Sequence, residues 1–206
     1  MPLPDHLKAT LVFRHAASQM ECTVGLYYTI SAGSLTDSNA VQLADALMAH
    51  VDGPLAACLP ESVRFSNVRI RYTNSGTEIE GESSDLGTLG TEGGDSLPEH
   101  DAVVIRRKTG TTGRARRGRI FMPFVPESLA EETGILTTAG VTAYSAFATL
   151  LDQNFVSAGT GITLVNVQPS PSLGILTPVK YSEVVWNICT RRDRQVERRR
   201  VATRAA

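Results

Sequence analysis

The sequence predicts an α+β fold of antiparallel β-hairpins and sheet with two amphipathic helices. Three observations lead there. Runs of β-branched and aromatic residues come in pairs joined by short polar linkers, apolar residues recur in two places at spacings of three and four, and the order hairpin, helix, strand occurs twice. That order would also fit a duplicated ββαβ unit, although no residue-level repeat accompanies it. With 206 residues, 42% of them hydrophobic, the chain can bury one sizeable core. We therefore expect a single globular domain over residues 1–190 and a basic C-terminal tail over 191–206.

The first two strands are Leu7–His15 and Met20–Ile30, dominated by β-branched and aromatic residues and split by Ala16-Ala17-Ser18-Gln19, which predicts a hairpin. Ala40, Leu43, Ala44, Leu47, Met48 and Val51 then form a helical stripe, with Thr36, Asp37 or Ser38 placed to cap it and Gly53-Pro54 expected to stop it. In Val63–Tyr72, apolar Val63, Phe65, Val68, Ile70 and Tyr72 alternate with polar neighbours, and the phase slips at Ser66-Asn67 as a β-bulge allows. Residues 74–98 are rich in Gly, Ser and acids with little to bury, which predicts an exposed acidic loop.

A second hairpin is expected over Asp101–Val125, with Gly110–Gly113 as its turn and Pro123 and Pro126 ending it at a sheet edge. From Thr137, the stripe Val141, Tyr144, Ala148, Leu151 and Phe155 predicts a second helix, closing near Gly159. Ile162–Val167 reads as a short strand, Pro169-Ser170-Pro171 as a turn, and Tyr181–Cys189 as a last strand leading into the tail.

Charge is segregated along the chain. Arg106, Arg107, Lys108, Arg114, Arg116, Arg117 and Arg119 form one basic run. Arg191, Arg192, Arg194, Arg198, Arg199 and Arg200, with Arg204 beyond, form another. Together they hold fourteen of the twenty Lys and Arg, in a chain whose formal net charge is only -1. Between Glu78 and Asp101 lie eight acids and no base. Such segregation points to contact with something charged. Three readings of the basic runs follow: a solvated face, contact with nucleic-acid phosphates at little base selectivity, or pairing with the acidic loop of a neighbouring copy. Arginine dominates over lysine, and its planar fork suits bidentate pairing with phosphate or carboxylate better than simple solvation.

Site chemistry is not predicted. Gly110–Gly118 lacks the Gly-Lys-Ser/Thr ending of a P-loop and leads into a strand, and Gly159-Thr160-Gly161 fails the dinucleotide fingerprint for the same reason. His6, His15, His50 and His100 fall in no metal-ligand spacing, the adjacent pairs Glu131-Glu132 and His100-Asp101 diverge in extended chain, and no Gly-x-Ser-x-Gly elbow occurs. We expect no enzyme, no cofactor and no metal. Cys22, Cys58 and Cys189 are odd in number and far apart, which fits small buried hydrophobes in a reducing compartment. Apolar runs fall far short of the roughly 20 residues that span a bilayer, and the N-terminus lacks a secretory pattern, so no membrane contact is expected.

The stretch Arg106–Ser128, with its basic turn followed by Ile120-Phe121-Met122-Pro123-Phe124-Val125-Pro126, resembles a segment of uncharacterised structural proteins of environmental viruses and phages. Thr177-Pro178-Val179, followed by Asp193–Arg200, is similar to their chain ends. The two patches cover about a fifth of the chain. The resemblance implies a virion component, made in the host cytoplasm, that works by self-assembly and carries no catalytic residues. The neutral N-terminus departs from the basic arm of many capsid proteins, and two helical stripes depart from a pure jelly roll. The expectation is a capsid or coat protein that forms a homo-oligomer and turns its basic surfaces toward packaged DNA or RNA. A phage tail or connector component is the alternative within that class, and a cellular nucleic-acid-binding module is the alternative outside it.

Overall fold

Leu7, Ala9, Leu11 and Phe13 are all fully buried on one face of the first strand, with Lys8 and Thr10 half-buried between them and Val12 buried on the other face. The fold built on that strand is seen in a computed structural model, which describes residues 6–17, 21–74, 76–93, 100–109, 116–130, 136–169, 176–178 and 184–190. Its first half runs β1 (Leu7–His15), β2 (Glu21–Ala32), α1 (Asp37–Ala56), β3 (Val63–Asn74) and β4 (Thr77–Glu82). Its second half runs β5 (His100–Thr109), β6 (Arg116–Pro123), a 3-10 turn (Glu127–Leu129), α2 (Thr138–Asp152), β7 (Phe155–Val156), β8 (Thr163–Pro169), β9 (Leu176–Pro178) and β10 (Val184–Thr190). The larger sheet is antiparallel in the order β4-β3-β1-β2-β8-β7, with β9 also pairing β8, and a three-stranded sheet has the order β10-β5-β6. This is the α+β architecture the patterning predicts. In both sheets a strand that follows the helix returns beside the first strand of a hairpin, β3 beside β1 and β10 beside β5.

The β1–β2 hairpin sets Leu7 opposite Tyr28 and Phe13 opposite Cys22. On the far side of β1, Leu7 faces Tyr72 and Leu11 faces Val68. The register then slips so that Asn67 faces Val12 but Phe65 faces Phe13. Ser66 is the extra residue, so the phase slip in the sequence is a bulge. Helix α1 begins after Thr36, whose N–H donates to Asn39 Oδ1 at 2.7 Å, one half of a capping arrangement. Its stripe packs on β3 and β4 and is buried from Ala40 to Leu55. Gly53-Pro54 does not stop the helix, which runs on to Ala56. Pro54 removes one backbone donor, but the extra turn buries Leu55 completely, a gain of about 1.5–3 kcal/mol that offsets the loss.

The acidic stretch is largely exposed over residues 77–93, as expected, but its first part is a strand rather than a loop. Thr77–Glu82 form β4, an edge strand paired with β3 from Asn74↔Thr77 to Arg69↔Glu82. Residues 83–92 then run back along β3 and the end of α1. Phe65 N–H donates to Thr88 O, Gly90 N–H to Val63 O, Thr91 N–H to Ala56 O and Glu92 N–H to Leu59 O. Two carboxylates of α1, seven residues apart on one face, hold this segment: Asp45 accepts from Ser84 N–H at 2.6 Å and Asp52 from Thr88 N–H at 2.8 Å. The glycines are there for contact. A Cβ on Gly90 would lie 2.1 Å from Pro60 O, and one on Gly87 would lie 2.3 Å from Phe65 O. Residues 94–98 of the expected loop lie outside the described residues.

Helix α2 starts where Thr137 Oγ1 accepts from Gly140 N–H at 3.1 Å. It ends at Asp152 rather than near Gly159, and Phe155 belongs to β7 instead of the helical stripe. It packs against α1 and the 3-10 turn, where Tyr144 is fully buried and its hydroxyl donates to Cys58 O at 3.2 Å. Val103 of β5 and Ile120 and Met122 of β6 join the same core. Where β6 ends, Phe124 takes a left-handed backbone with φ 56, a conformation costing on the order of 1–3 kcal/mol for a bulky residue. Its buried ring lies 5.9 Å from that of His15 and ties this exit to the end of β1.

Candidate nucleic-acid interface

The first basic run becomes a two-stranded ribbon. β5 and β6 pair with Arg106 opposite Arg119, Arg107 opposite Gly118, Lys108 opposite Arg117 and Thr109 opposite Arg116. Strand alternation sorts these positions into two faces. Val103 pairs with Met122 and Ile105 with Ile120, and buried Val103, Ile120 and Met122 mark the core-facing side. In this register Arg106 and Lys108 are directly opposed to Arg119 and Arg117, two cation pairs across the strands. Like charges directly opposite each other destabilise an antiparallel pair, so this pattern is poor as plain sheet design. Arg114 lies outside the described residues.

The second basic run is rooted elsewhere. β10 pairs with β5 from Val184 opposite Arg107 to Thr190 opposite His100. The tail therefore leaves the sheet beside His100, while the basic ribbon ends at Thr109 and Arg116, about 30 Å of strand rise away. Arg191, Arg192, Arg194, Arg198, Arg199 and Arg200 lie outside the described residues, and the roots of the two basic runs are not brought together.

The acidic stretch already has basic partners in its own sheet. On the outward face of β3 and β4, Arg71 bonds Glu78 at 2.7 Å and Glu80 at 2.6 Å, while Arg69 bonds Glu82 at 3.4 Å and Glu21 of β2 at 3.3 Å. Arg14 joins Glu21 at 3.6 Å. Carboxylate hydrogen bonding holds the Arg71 guanidinium above its ordinary pKa. Such exposed pairs are individually weak, but together they draw on four strands in two clusters, Arg71 with Glu78 and Glu80, and Arg69 with Glu82, Glu21 and Arg14. Glu92 accepts from Ser128 Oγ at 2.9 Å. Sequence reasoning passed over Arg69 and Arg71. The period-two bases Arg69 and Arg71, a turn at 74–76, and the period-two acids Glu78, Glu80 and Glu82 are the signal of a hairpin with cross-strand ion pairs.

Beside this ladder is a cleft of about 680 Å³ lined by Lys8, Thr10, Arg69, Arg71, Glu80 and Glu82, among others. Its mixed charges are largely paired, and it holds no nucleophile with an adjacent base. Among the described residues no group of three His, Cys, Asp or Glu side chains could hold a metal ion, and no helix is long and apolar enough to cross a membrane. His15 and His50 lie beside the rings of Phe124 and Phe155, and partial burial lowers the His50 pKa. Burial pushes the Cys58 thiol well above its ordinary range, which leaves it unreactive. No protein-family model, curated protein or solved structure matches the chain.

Proposed function

We propose that the chain is a self-assembling structural protein of a virus or phage, a capsid or coat protein that turns its basic ribbon toward packaged nucleic acid. The observation that carries this reading is the register of the paired strands, which sets Arg106 opposite Arg119 and Lys108 opposite Arg117. Like charges directly opposite on paired strands disfavour the pairing, and a polyanion lying across them would relieve that cost. The likeness of Arg106–Ser128 to virion proteins supplies the viral setting. Strand edges support assembly: among the described residues, β4, β6 and β10 each have one edge without a strand partner, and such edges invite pairing between copies.

The test is recombinant expression, size-exclusion chromatography and negative-stain microscopy. Shells that carry nucleic acid are expected at micromolar concentration. Rings or tubes free of nucleic acid would move the protein to a tail or connector role. A monodisperse monomer across salt and pH would overturn assembly and leave a cellular nucleic-acid-binding module.

A further inference from the structure

The edge of β4 is open and acidic. β4 pairs with β3 on one side only, and among the described residues no other backbone group bonds it. Glu78, Glu80 and Glu82 stand at alternate positions along it, with side chains 50%, 60% and 53% exposed. Arg71 serves both Glu78 and Glu80, and Arg69 serves both Glu82 and Glu21, so each guanidinium is shared by two carboxylates and the row keeps an acidic surplus. A second β4 is a poor partner for this edge, since glutamates would meet glutamates. The fitting partner is an extended segment with bases at every second position, which adds a strand and sets its bases beside the acids. The basic C-terminal run has that pattern. Over residues 191–204, the even positions hold Arg192, Arg194, Arg198, Arg200 and Arg204 and no acid, while Asp193 and Glu197 both fall on odd positions. A period of two is that of a strand and not of a helix. Any three successive even positions from 192 to 204 include two arginines, so every register meets the three glutamates with two bases.

We propose that the tail of a second copy adds to the β4 edge as a strand, its even-numbered arginines opposite Glu78, Glu80 and Glu82. The acidic row then has bases on both sides, and its bonds to Arg69 and Arg71 stay in place. The inference rests on the self-assembly reading above and names the contact that joins copies. Tail and edge are different surfaces, so the contact is head-to-tail, and each copy that gives a tail keeps its own edge for the next. Backbone hydrogen bonds supply affinity, and the alternating charges select the segment.

The test measures binding of a fluorescent peptide spanning residues 191–206 to the full-length chain at nanomolar protein, where copies are dispersed. The peptide should bind, and Glu80→Gln with Glu82→Gln should weaken it about two- to thirty-fold, the loss of two cross-strand pairs. Glu61→Gln, which removes an exposed acid outside β4, should leave binding unchanged. Peptides N-methylated at every even or at every odd position separate strand addition from simple charge attraction, since only one set of amides can face β4. One set should abolish binding and the other leave it nearly intact. Circular dichroism checks that the glutamate variant folds, and if it does not, the methylated peptides decide on the parent chain. A folded glutamate variant that binds as tightly as the parent would overturn the site, and methylated peptides that bind alike would overturn the added strand. If the parent stays monomeric and takes up no peptide while Arg194→Gln with Arg198→Gln does, the tail lies on its own copy and the assignment to a second copy falls. Particles that form although no peptide binds at β4 sink this inference and leave the virion reading standing. A chain that never assembles sinks the virion reading, while the peptide still decides the edge.

Discussion

Asp52 on α1 accepts two hydrogen bonds from Thr88, one from its backbone N–H at 2.8 Å and one from its hydroxyl. The two residues lie 36 positions apart, and Asp45 repeats the arrangement two helical turns earlier with Ser84. The helix thereby uses two acids of one face to hold a segment that has little to bury.

Asp52→Ala should destabilise the protein by about 1.5 kcal/mol, because a charged acceptor is lost and the Thr88 N–H keeps no protein partner. The double variant with Asp45→Ala should lose more than either single change. Urea denaturation checks this, with an unchanged m-value showing that the native state is otherwise intact.

Two glycines should respond to alanine with opposite signs. Gly90→Ala sets a Cβ 2.1 Å from Pro60 O and 2.2 Å from Leu59 O, both backbone atoms, and should cost about 1–3 kcal/mol. Gly159→Ala meets nothing within 4 Å and has no positive φ, and it should add about 0.4–1 kcal/mol by restricting the unfolded chain. Thermal melts of the two variants decide the matter, and equal shifts would contradict the close approach of the 83–92 segment.

These two glycines show where the sequence is legible and where it is not. The β1–β2 hairpin, the stripe of α1, the bulge at Ser66 and the second hairpin follow from side chains whose period is set by burial on one face. The segment after β4 has no period because its partners are backbone groups of β3, the end of α1 and two aspartates. Its glycines read as loop composition, whereas in the fold they permit contact. Phe155 misled for the opposite reason: it keeps the helical spacing of α2, but the chain has already turned at Gln153 and the ring packs 5.0 Å from His50. At the candidate interface the basic composition was legible. The register that opposes Arg106 to Arg119 was not, since it depends on the turn between the strands.

Tyr144→Phe should cost about 1–2 kcal/mol, since it leaves the carbonyl of Cys58 without this donor in a fully buried site. In the same region, Cys58 should resist alkylation until the protein unfolds, because burial keeps it a thiol. Mass spectrometry of alkylated protein along a denaturant gradient reads both the melting of the variant and the exposure of Cys58.

Stability should fall on acidification through His50. Its pKa is lowered in the fold by desolvation, so the unfolded chain takes up the proton first. The contribution is complete above the ordinary histidine value of about 6.5 and is lost as pH falls through the lower folded value. His50→Gln should flatten the melting temperature across that window relative to the parent chain, as differential scanning fluorimetry at a series of pH values would show.

The concentration of bases in two segments of the sequence makes this chain a polyampholyte. Outside residues 100–119 and 191–206 the sequence keeps six of its twenty bases and eighteen of its twenty-one acids, a formal charge of -12. A molecule of this kind is neutral only on average. At low ionic strength the basic segments of one copy should attract the acidic remainder of another, so the protein should salt in, becoming more soluble as salt screens that attraction. Nucleic acid added in place of salt would mask the cations and leave the negative remainder to keep the copies apart.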